Sequence, residues 1–118
     1  MIVPHVVLTG NFDIPRIPEI ISRISFRSGT AVLKTGVTYI APDSSAIIIE
    51  STSVESGKPL NFLILINRRN DGLVIRLHPS LDIEKTEGVK RLLALVANSI
   101  IAANPGSAVG KTNLQEFL

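Results

Sequence analysis

The sequence predicts an α+β fold: a mainly antiparallel sheet of about five strands in the order β-α-β-β-β-β-α, with helices packed on one face. Two observations lead to this prediction. Four apolar or β-branched runs follow one another between Thr30 and Pro79, separated by three turns, which is the pattern of successive antiparallel strands. One long amphipathic segment follows directly, with the periodicity of a helix. The 118 residues suffice for one hydrophobic core and are too few for two domains.

A short strand and a first helix are expected before Thr30. Val3–Thr9 is a β-branched run closed by a glycine, which is typical of a strand. Four isoleucines then recur at the spacing of one helical face: Ile17, Ile20, Ile21 and Ile24. Because proline is tolerated only in the first turn of a helix, this helix is predicted to begin near Pro15 and to end before Ser28.

The four successive strands are predicted at Ala31–Ile40, Ala46–Val54, Leu60–Asn67 and Leu73–His78. The third of them is apolar on both faces, because alternate side chains of a strand point to opposite sides. Its five consecutive apolar residues are Phe62, Leu63, Ile64, Leu65 and Ile66. Such a strand is typical of a sheet with both faces covered. A chain of this length has too few elements to cover both faces, which predicts self-association.

The long helix is predicted at Ile83–Ala103 and is expected to end at Asn104, which precedes a proline and a glycine. The centre of its apolar stripe is formed by Leu92, Leu93 and Val96. We therefore expect one domain at residues 1–104 and a C-terminal tail at residues 105–118.

The composition limits the classes of function. The chain has no cysteine, which excludes disulfides and thiolate metal sites. This absence, with a single methionine and a single glutamine, is compatible with a thermophilic source. The net charge of +2 is too small by itself to indicate strong nucleic-acid binding, since affinity for phosphate grows with the number of cationic contacts.

Two features of the sequence bear on location. The uncharged run from residue 92 to residue 110 is interrupted by polar residues, proline and glycine, so its apolar part is shorter than the roughly 20 residues of a membrane span. The amino terminus lacks the cationic and apolar stretches of a secretory leader. We therefore expect a cytoplasmic protein without membrane association.

The sequence predicts no catalytic site and no cofactor. Gly106–Thr112 resembles a phosphate-binding loop, but it is one residue too short and follows a helix instead of a strand. We expect this segment to be a flexible tail that binds no nucleotide. His5 and His78 are the only histidines, too few for a histidine-rich metal site. The chain is therefore predicted not to be an enzyme.

Four cationic residues are the candidates for contact with nucleic acid or with a partner protein: Lys58, Arg68, Arg69 and Arg76. A basic patch at a sheet edge would attract phosphates. Arginines beside a hairpin are more often solvated, however, and charges at an edge deter aggregation. The aromatic residues that single-strand binders use for stacking are isolated here, so nucleic acid is the less favoured partner.

The predicted order of elements is similar to that of the TATA-binding-protein-like and helix-grip architectures. This similarity implies no single function, since such folds include DNA binders, ligand carriers and interaction modules. The two-faced apolar strand favours a non-enzymatic interaction or assembly module that dimerises through its sheet. The alternatives are a nucleic-acid-binding domain and a carrier that holds a small apolar ligand between the sheet and the long helix. The expected partner is a second copy of the chain or another protein.

Overall fold

A computed structural model describes residues 3–22, 24–79 and 83–118 of the chain. The strands are β1 (His5–Thr9), β2 (Ser25–Ser28), β3 (Ala31–Ile40), β4 (Ala46–Glu55), β5 (Lys58–Arg69), β6 (Gly72–Leu77) and β7 (Ala108–Thr112). The helices are α1 (Ile17–Ile21) and α2 (Glu87–Ala103), and 3-10 turns occupy Ile14–Arg16 and Gln115–Phe117. The strands form one antiparallel sheet in the order β2-β3-β4-β5-β6-β1-β7.

The predicted fold class is wrong. In place of about five strands with helices packed on one face, the described residues form a seven-stranded sheet that is curled into a half-barrel and accompanied by two short helices. The order β-α-β-β-β-β-α omits β2 and β7. The similarity to the TATA-binding-protein-like and helix-grip architectures was based on that order and therefore loses its basis.

The first missed strand, β2, lies where the sequence predicts the second half of a helix. Helix α1 ends at Ile21, and the Thr35 hydroxyl donates a hydrogen bond of 2.6 Å to the Ile21 carbonyl oxygen. This bond satisfies one of the carbonyl groups that a helix leaves unpaired at its end. The following residues pair with β3, from Ser25 opposite Lys34 to Ser28 opposite Ala31. The isoleucine spacing therefore extends past the actual helix.

The second missed strand, β7, lies in the segment predicted as a C-terminal tail. Residues Ala108–Thr112 pair with β1 at the far edge of the sheet, so the segment is not a flexible tail over these positions. Leu114 is buried, and the Phe117 ring lies 5.7 Å from the guanidinium of Arg91 on α2. Strand pairing and these side-chain contacts attach residues 105–118 to the rest of the fold.

Helix α2 lies inside the curl and contacts β1, β3, β4, β6 and α1. The predicted burial of its stripe is confirmed, since Leu92, Leu93 and Val96 have no exposed surface. The helix begins at Glu87 and not at Ile83, because Thr86 is its N-cap: the Thr86 hydroxyl accepts a 3.2 Å hydrogen bond from the Val89 amide. Among the described residues, no helix combines the length and the apolarity needed to cross a membrane.

Tight turns join the central strands. Ser56 and Gly57 both have positive φ, at 53° and 76°, as the two-residue turn between twisted strands requires. The predicted hairpin between β5 and β6 is also present, with Arg69 opposite Gly72. These turns fix the register of β4, β5 and β6, and alternate side chains therefore lie on an inner face toward α2 and on an outer face.

Candidate interaction surface

The outer face of the sheet is less exposed than the sequence suggests. Leu65, the outward residue at the centre of β5, exposes only 8% of its surface, as does Val7 on β1. Leu63 is half-buried. The ladder neighbours of Leu65 are Ile48 on β4 and Arg76 on β6. The centre of the outer face is therefore not the main exposed apolar surface of the molecule.

Three exposed apolar side chains lie at one edge of the sheet, on the second half of β3. Val37, Tyr39 and Ile40 expose 55%, 52% and 41% of their surface. They are three of the four large hydrophobic residues that are exposed in the described part of the chain; the fourth is Val109 on β7, at 37%. We call Gly36–Ile40 the β3 edge segment.

The β3 edge segment has a strand on one side only. Strand β2 pairs with β3 only as far as Lys34, and one further bond joins the Thr35 amide to the Ile24 carbonyl oxygen at 3.1 Å. Beyond Thr35, no strand within residues 3–22, 24–79 and 83–118 pairs with this side of β3. The register of β3 with β4 also shifts between Thr35 and Thr38, which marks a β-bulge at the start of the segment.

The backbone of the segment offers hydrogen-bonding groups to the open side. The Ala41 amide donates to the Ala46 carbonyl oxygen at 2.9 Å, so Ala41 faces β4. In an antiparallel ladder, residues that face the partner strand alternate with residues that face away. Tyr39 therefore faces β4 as well, whereas the N–H and C=O groups of Thr38 and Ile40 are directed toward the open edge.

The ring of Tyr39 is held in place by a hydrogen bond across the outer face. Its hydroxyl donates to the Glu50 carboxylate at 2.6 Å. This bond, together with the charge of Glu50, raises the pKa of Tyr39, so the phenol stays protonated. The exposed ring is consequently fixed in orientation before any partner binds, which lowers the entropy cost of a contact.

The other edges of the sheet carry features that oppose pairing. Strand β2 has only four residues and includes Arg27, and β7 contains Gly110 and Lys111. Short edge strands, cations and glycine are devices by which proteins avoid edge-to-edge association. From Thr35 to Ala41 the sequence has neither a charged residue nor a proline. The β3 edge segment has no charged residue and no proline, although it begins at Gly36 and at the β-bulge.

The four predicted contact residues do not form one basic patch. Lys58 is the first residue of β5 and lies opposite Glu55, whereas Arg68 and Arg69 end the same strand. At about 3.3 Å per residue, the length of the strand separates them by roughly 30 Å. Arg76 lies on the outer face of β6, where its Nη2 donates to Asn67 Oδ1 at 3.3 Å.

Of the four cations, only Arg68 and Arg69, which are neighbours in sequence, lie in one site. They line a groove of about 430 Å³ at the turn between β5 and β6. The Arg69 guanidinium lies 3.9 Å from the Asp71 carboxylate, and Arg68 contributes to lowering the pKa of Asp43, after the stronger effect of hydrogen bonds from Ser45. These carboxylates offset part of the positive charge that phosphate binding would use. The geometry gives little support to a nucleic-acid site.

The described residues contain no group of three or more histidine, aspartate and glutamate side chains that could hold a metal ion. His5 Nδ1 lies 3.0 Å from the Val3 carbonyl oxygen, a local contact at the start of β1. The space between the sheet and α2, where the sequence allowed an apolar ligand, is occupied by fully buried side chains of the chain itself, such as Ile64, Ile75 and Leu93.

A hydrogen-bonded carboxylate joins the β4–β5 hairpin to the start of α2. Glu55 accepts hydrogen bonds from the Ser53 hydroxyl at 2.7 Å, the Thr86 hydroxyl at 2.6 Å and the Gly88 amide at 2.9 Å. Burial is the strongest single influence on its pKa and raises it, but these hydrogen bonds together outweigh burial and lower the pKa. A Cβ atom at residue 88 would collide with the Ser53 hydroxyl and the Glu55 carboxylate, so a side chain there would displace these hydrogen-bonded groups. Because these partners all belong to the chain itself, we assign Glu55 a structural role.

Comparisons of the chain with protein-family models, with curated proteins and with solved structures give no match. The function of the chain is therefore inferred from its own residues.

Sequence reasoning did not identify the β3 edge segment as a candidate site. It placed the strand correctly at Ala31–Ile40, but the exposure of Val37, Tyr39 and Ile40 depends on the point at which β2 stops. The available signal was the uncharged, proline-free run from Thr35 to Ala41. That run is equally typical of a central strand, so the signal becomes informative only when the order of strands is known.

Proposed function

We propose that this chain is a non-enzymatic assembly module that forms homodimers through its β-sheet. The observation that carries the proposal is the set of exposed apolar side chains at one edge of the sheet: Val37, Tyr39 and Ile40 lie close together on one strand, with Tyr39 and Ile40 on opposite faces. Each large apolar side chain that a contact removes from water contributes up to about 1.5–3 kcal/mol. Exposed apolar patches of this kind mark protein interaction sites. Its proposed location is the cytoplasm, as expected from the sequence.

The two alternative functions receive less support. A nucleic-acid-binding domain would use Lys58, Arg68, Arg69 and Arg76, which lie at opposite ends of β5 and on the outer face. A carrier of a small apolar ligand would need space between the sheet and α2, where the described side chains are closely packed. Neither has a feature comparable to the exposed apolar side chains of β3.

The proposal is tested by measuring the mass of the protein in solution as a function of its concentration. Sedimentation equilibrium or light scattering should give a mass that rises with concentration toward twice the 12.7 kDa of one chain. Contacts of less than about 1,200 Å² in total are typical of weak complexes, so dilution should return the monomer. A mass of one chain at every concentration up to the millimolar range would contradict self-association.

A further inference from the structure

We propose that the β3 edge segment, Gly36–Ile40, is the contact surface, and that its occupant is the same segment of a second copy, paired antiparallel about a two-fold axis. This inference rests on the proposed self-association and specifies where on the sheet it occurs. It assigns the contact to the edge, not to the apolar centre of the outer face around Leu63 and Leu65.

The backbone of the β3 edge segment favours an extended chain as its occupant. The N–H and C=O groups of Thr38 and Ile40 are directed toward the open side of β3, as the pairing of β3 with β4 requires. Free donors and acceptors at that spacing are satisfied by an adjacent extended chain, which is the basis of strand addition at a sheet edge. An occupant that is not extended would leave them bonded to water alone.

The side chains beside those backbone groups favour an apolar occupant. Val37 and Tyr39 expose more than half of their surface, and Ile40 exposes 41%. An occupant must therefore be apolar as well as extended. Because residues Thr35–Ala41 carry no charge, the edge has no feature that would select a charged peptide.

The β3 edge segment is complementary to a second copy of itself. The β3 edge segment is itself an extended, uncharged, apolar strand with a free edge, so it has the properties that it requires of its partner. Two-fold antiparallel pairing is isologous: each copy uses the same patch, and both open edges are covered at once. In such a dimer each copy supplies the extended apolar strand that the other copy lacks at this edge.

The size of this contact predicts its strength. A segment of five residues at a sheet edge gives an interface at the small end of the range for specific complexes, below about 1,200 Å². The dimer should therefore be in rapid, concentration-dependent exchange with the monomer. The fixed orientation of the Tyr39 ring, hydrogen-bonded to Glu50 at 2.6 Å, limits the entropy that this contact costs.

The experiment compares the same substitution at two sheet edges. Val37→Lys places a cation on the β3 edge segment, and Val109→Lys places one on β7, whose valine is also exposed. Lysine on an edge strand opposes pairing. We expect Val37→Lys to raise the dissociation constant about tenfold or more, and Val109→Lys to change it by about twofold or less. Circular dichroism and thermal unfolding should show that both variants retain the fold.

A third variant separates failure of this inference from failure of the proposed function. Leu63→Lys places the cation on the outer face. If the unmodified chain dimerises and Leu63→Lys dissociates it while Val37→Lys does not, the contact lies on the outer face: the edge assignment is overturned and self-association stands. If the unmodified chain remains monomeric, both are overturned.

Cross-linking gives an independent measurement, because the chain contains no native cysteine. With oxidised glutathione as the oxidant, Tyr39→Cys should form a covalent dimer much faster than Val109→Cys, since two-fold pairing brings the two copies of the β3 edge segment together. Equal rates for the two variants at a concentration where the dimer is populated would overturn the edge assignment.

Discussion

The two faces of β5 are similarly apolar, but they differ in what covers them. On the inner face, Phe62, Ile64 and Ile66 expose 3% of their surface or less, because α2 and the curled sheet enclose them. On the outer face, Leu63 is half-buried and Leu65 exposes 8%, although neighbouring side chains are their only cover among the described residues. On the inner face, side chains are buried by a second layer, helix α2. On the outer face, they are buried only by neighbouring side chains of the same sheet.

This difference separates stability from interaction in the molecule. The inner face contains the fully buried core, including Leu8 and Ile75, and its removal from water stabilises the fold. The exposed apolar side chains lie instead on β3, where β2 ends before the strand does. An apolar strand therefore does not by itself indicate a binding surface. The position at which its neighbour stops determines which residues remain available.

The largest expected effect is on stability, when a leucine is truncated to alanine on the inner side and, for comparison, on the outer face. Leu93→Ala in α2 removes a side chain with no exposed surface, so it loses transfer free energy and leaves a cavity, which costs about 2–5 kcal/mol. Leu63→Ala on the outer face removes a half-buried side chain and leaves an open surface, so we expect a cost of about 1 kcal/mol or less.

Urea unfolding of the two variants, at a concentration low enough for the monomer to predominate, checks this contrast. Leu93→Ala should show a much lower midpoint with an unchanged slope. Equal losses from the two truncations would mean that the outer face is covered as fully as the inner face.

The second expected effect concerns the carboxylate that holds α2 to the sheet. Glu55→Gln removes the charge that accepts hydrogen bonds from Ser53, Thr86 and the Gly88 amide. Hydrogen bonds to a charged group are stronger than neutral ones, and a weakened acceptor costs about 1–3 kcal/mol. We expect a loss of that size at pH 7.

The pH dependence of this loss follows from the lowered pKa of Glu55. A group whose pKa is lower in the folded state contributes its stabilisation fully above its unfolded pKa, about 4.3 for glutamate. The contribution is lost as the pH falls through the folded-state pKa. The difference in unfolding free energy between the unmodified chain and Glu55→Gln should therefore be constant near neutral pH and shrink in acid. A difference that grows in acid would contradict the lowered pKa.

The sequence predicted those parts of the fold that depend on local signals. Strand β3 has its predicted bounds, the turn between β5 and β6 forms where asparagine, aspartate and glycine indicate it, and the stripe of α2 is buried. Strands β2 and β7 were missed because their residues carry little local preference. Ser25–Ser28 contains one apolar residue, and Ala108–Thr112 includes a glycine and a lysine. β2 becomes a strand by pairing with β3, its neighbour across a two-residue turn, whereas β7 pairs with β1 at the other end of the sequence.

The candidate site could be predicted from the sequence even less than the fold could. The four cations singled out in the sequence are dispersed by the length of β5, and the β3 edge segment was not identified. Its exposure depends on two pairing facts that are not encoded within the segment: β2 begins at Ser25 opposite Lys34, so it does not reach Gly36–Ile40, and Thr35 bonds to the end of α1 and to Ile24. An element can be predicted from its own residues, but an open edge is defined by the extent of its neighbour.

The smallest expected effect distinguishes two threonines on the inner side of β3, one before the open edge and one within it. The Thr35 hydroxyl donates to the Ile21 carbonyl oxygen at 2.6 Å, whereas the Thr38 hydroxyl is buried without a hydrogen-bond partner. A buried polar group without a partner loses its hydration and gains nothing in return. The same substitution by valine, which has nearly the same shape, should therefore change stability in opposite directions at the two positions.

Thr38→Val should stabilise the monomer by about 1 kcal/mol, because it removes a desolvated hydroxyl and introduces a residue that favours strands. Thr35→Val should destabilise by about 1 kcal/mol, because it leaves the last turn of α1 with an unpaired carbonyl group. Thermal and urea unfolding at low protein concentration measure both values. If Thr38→Val instead destabilised the monomer as much as Thr35→Val, the Thr38 hydroxyl would have a hydrogen-bond partner. Opposite signs would show that the two hydroxyls, which lie on either side of the point where the first half of β3 gives way to the β3 edge segment, differ in their hydrogen bonding.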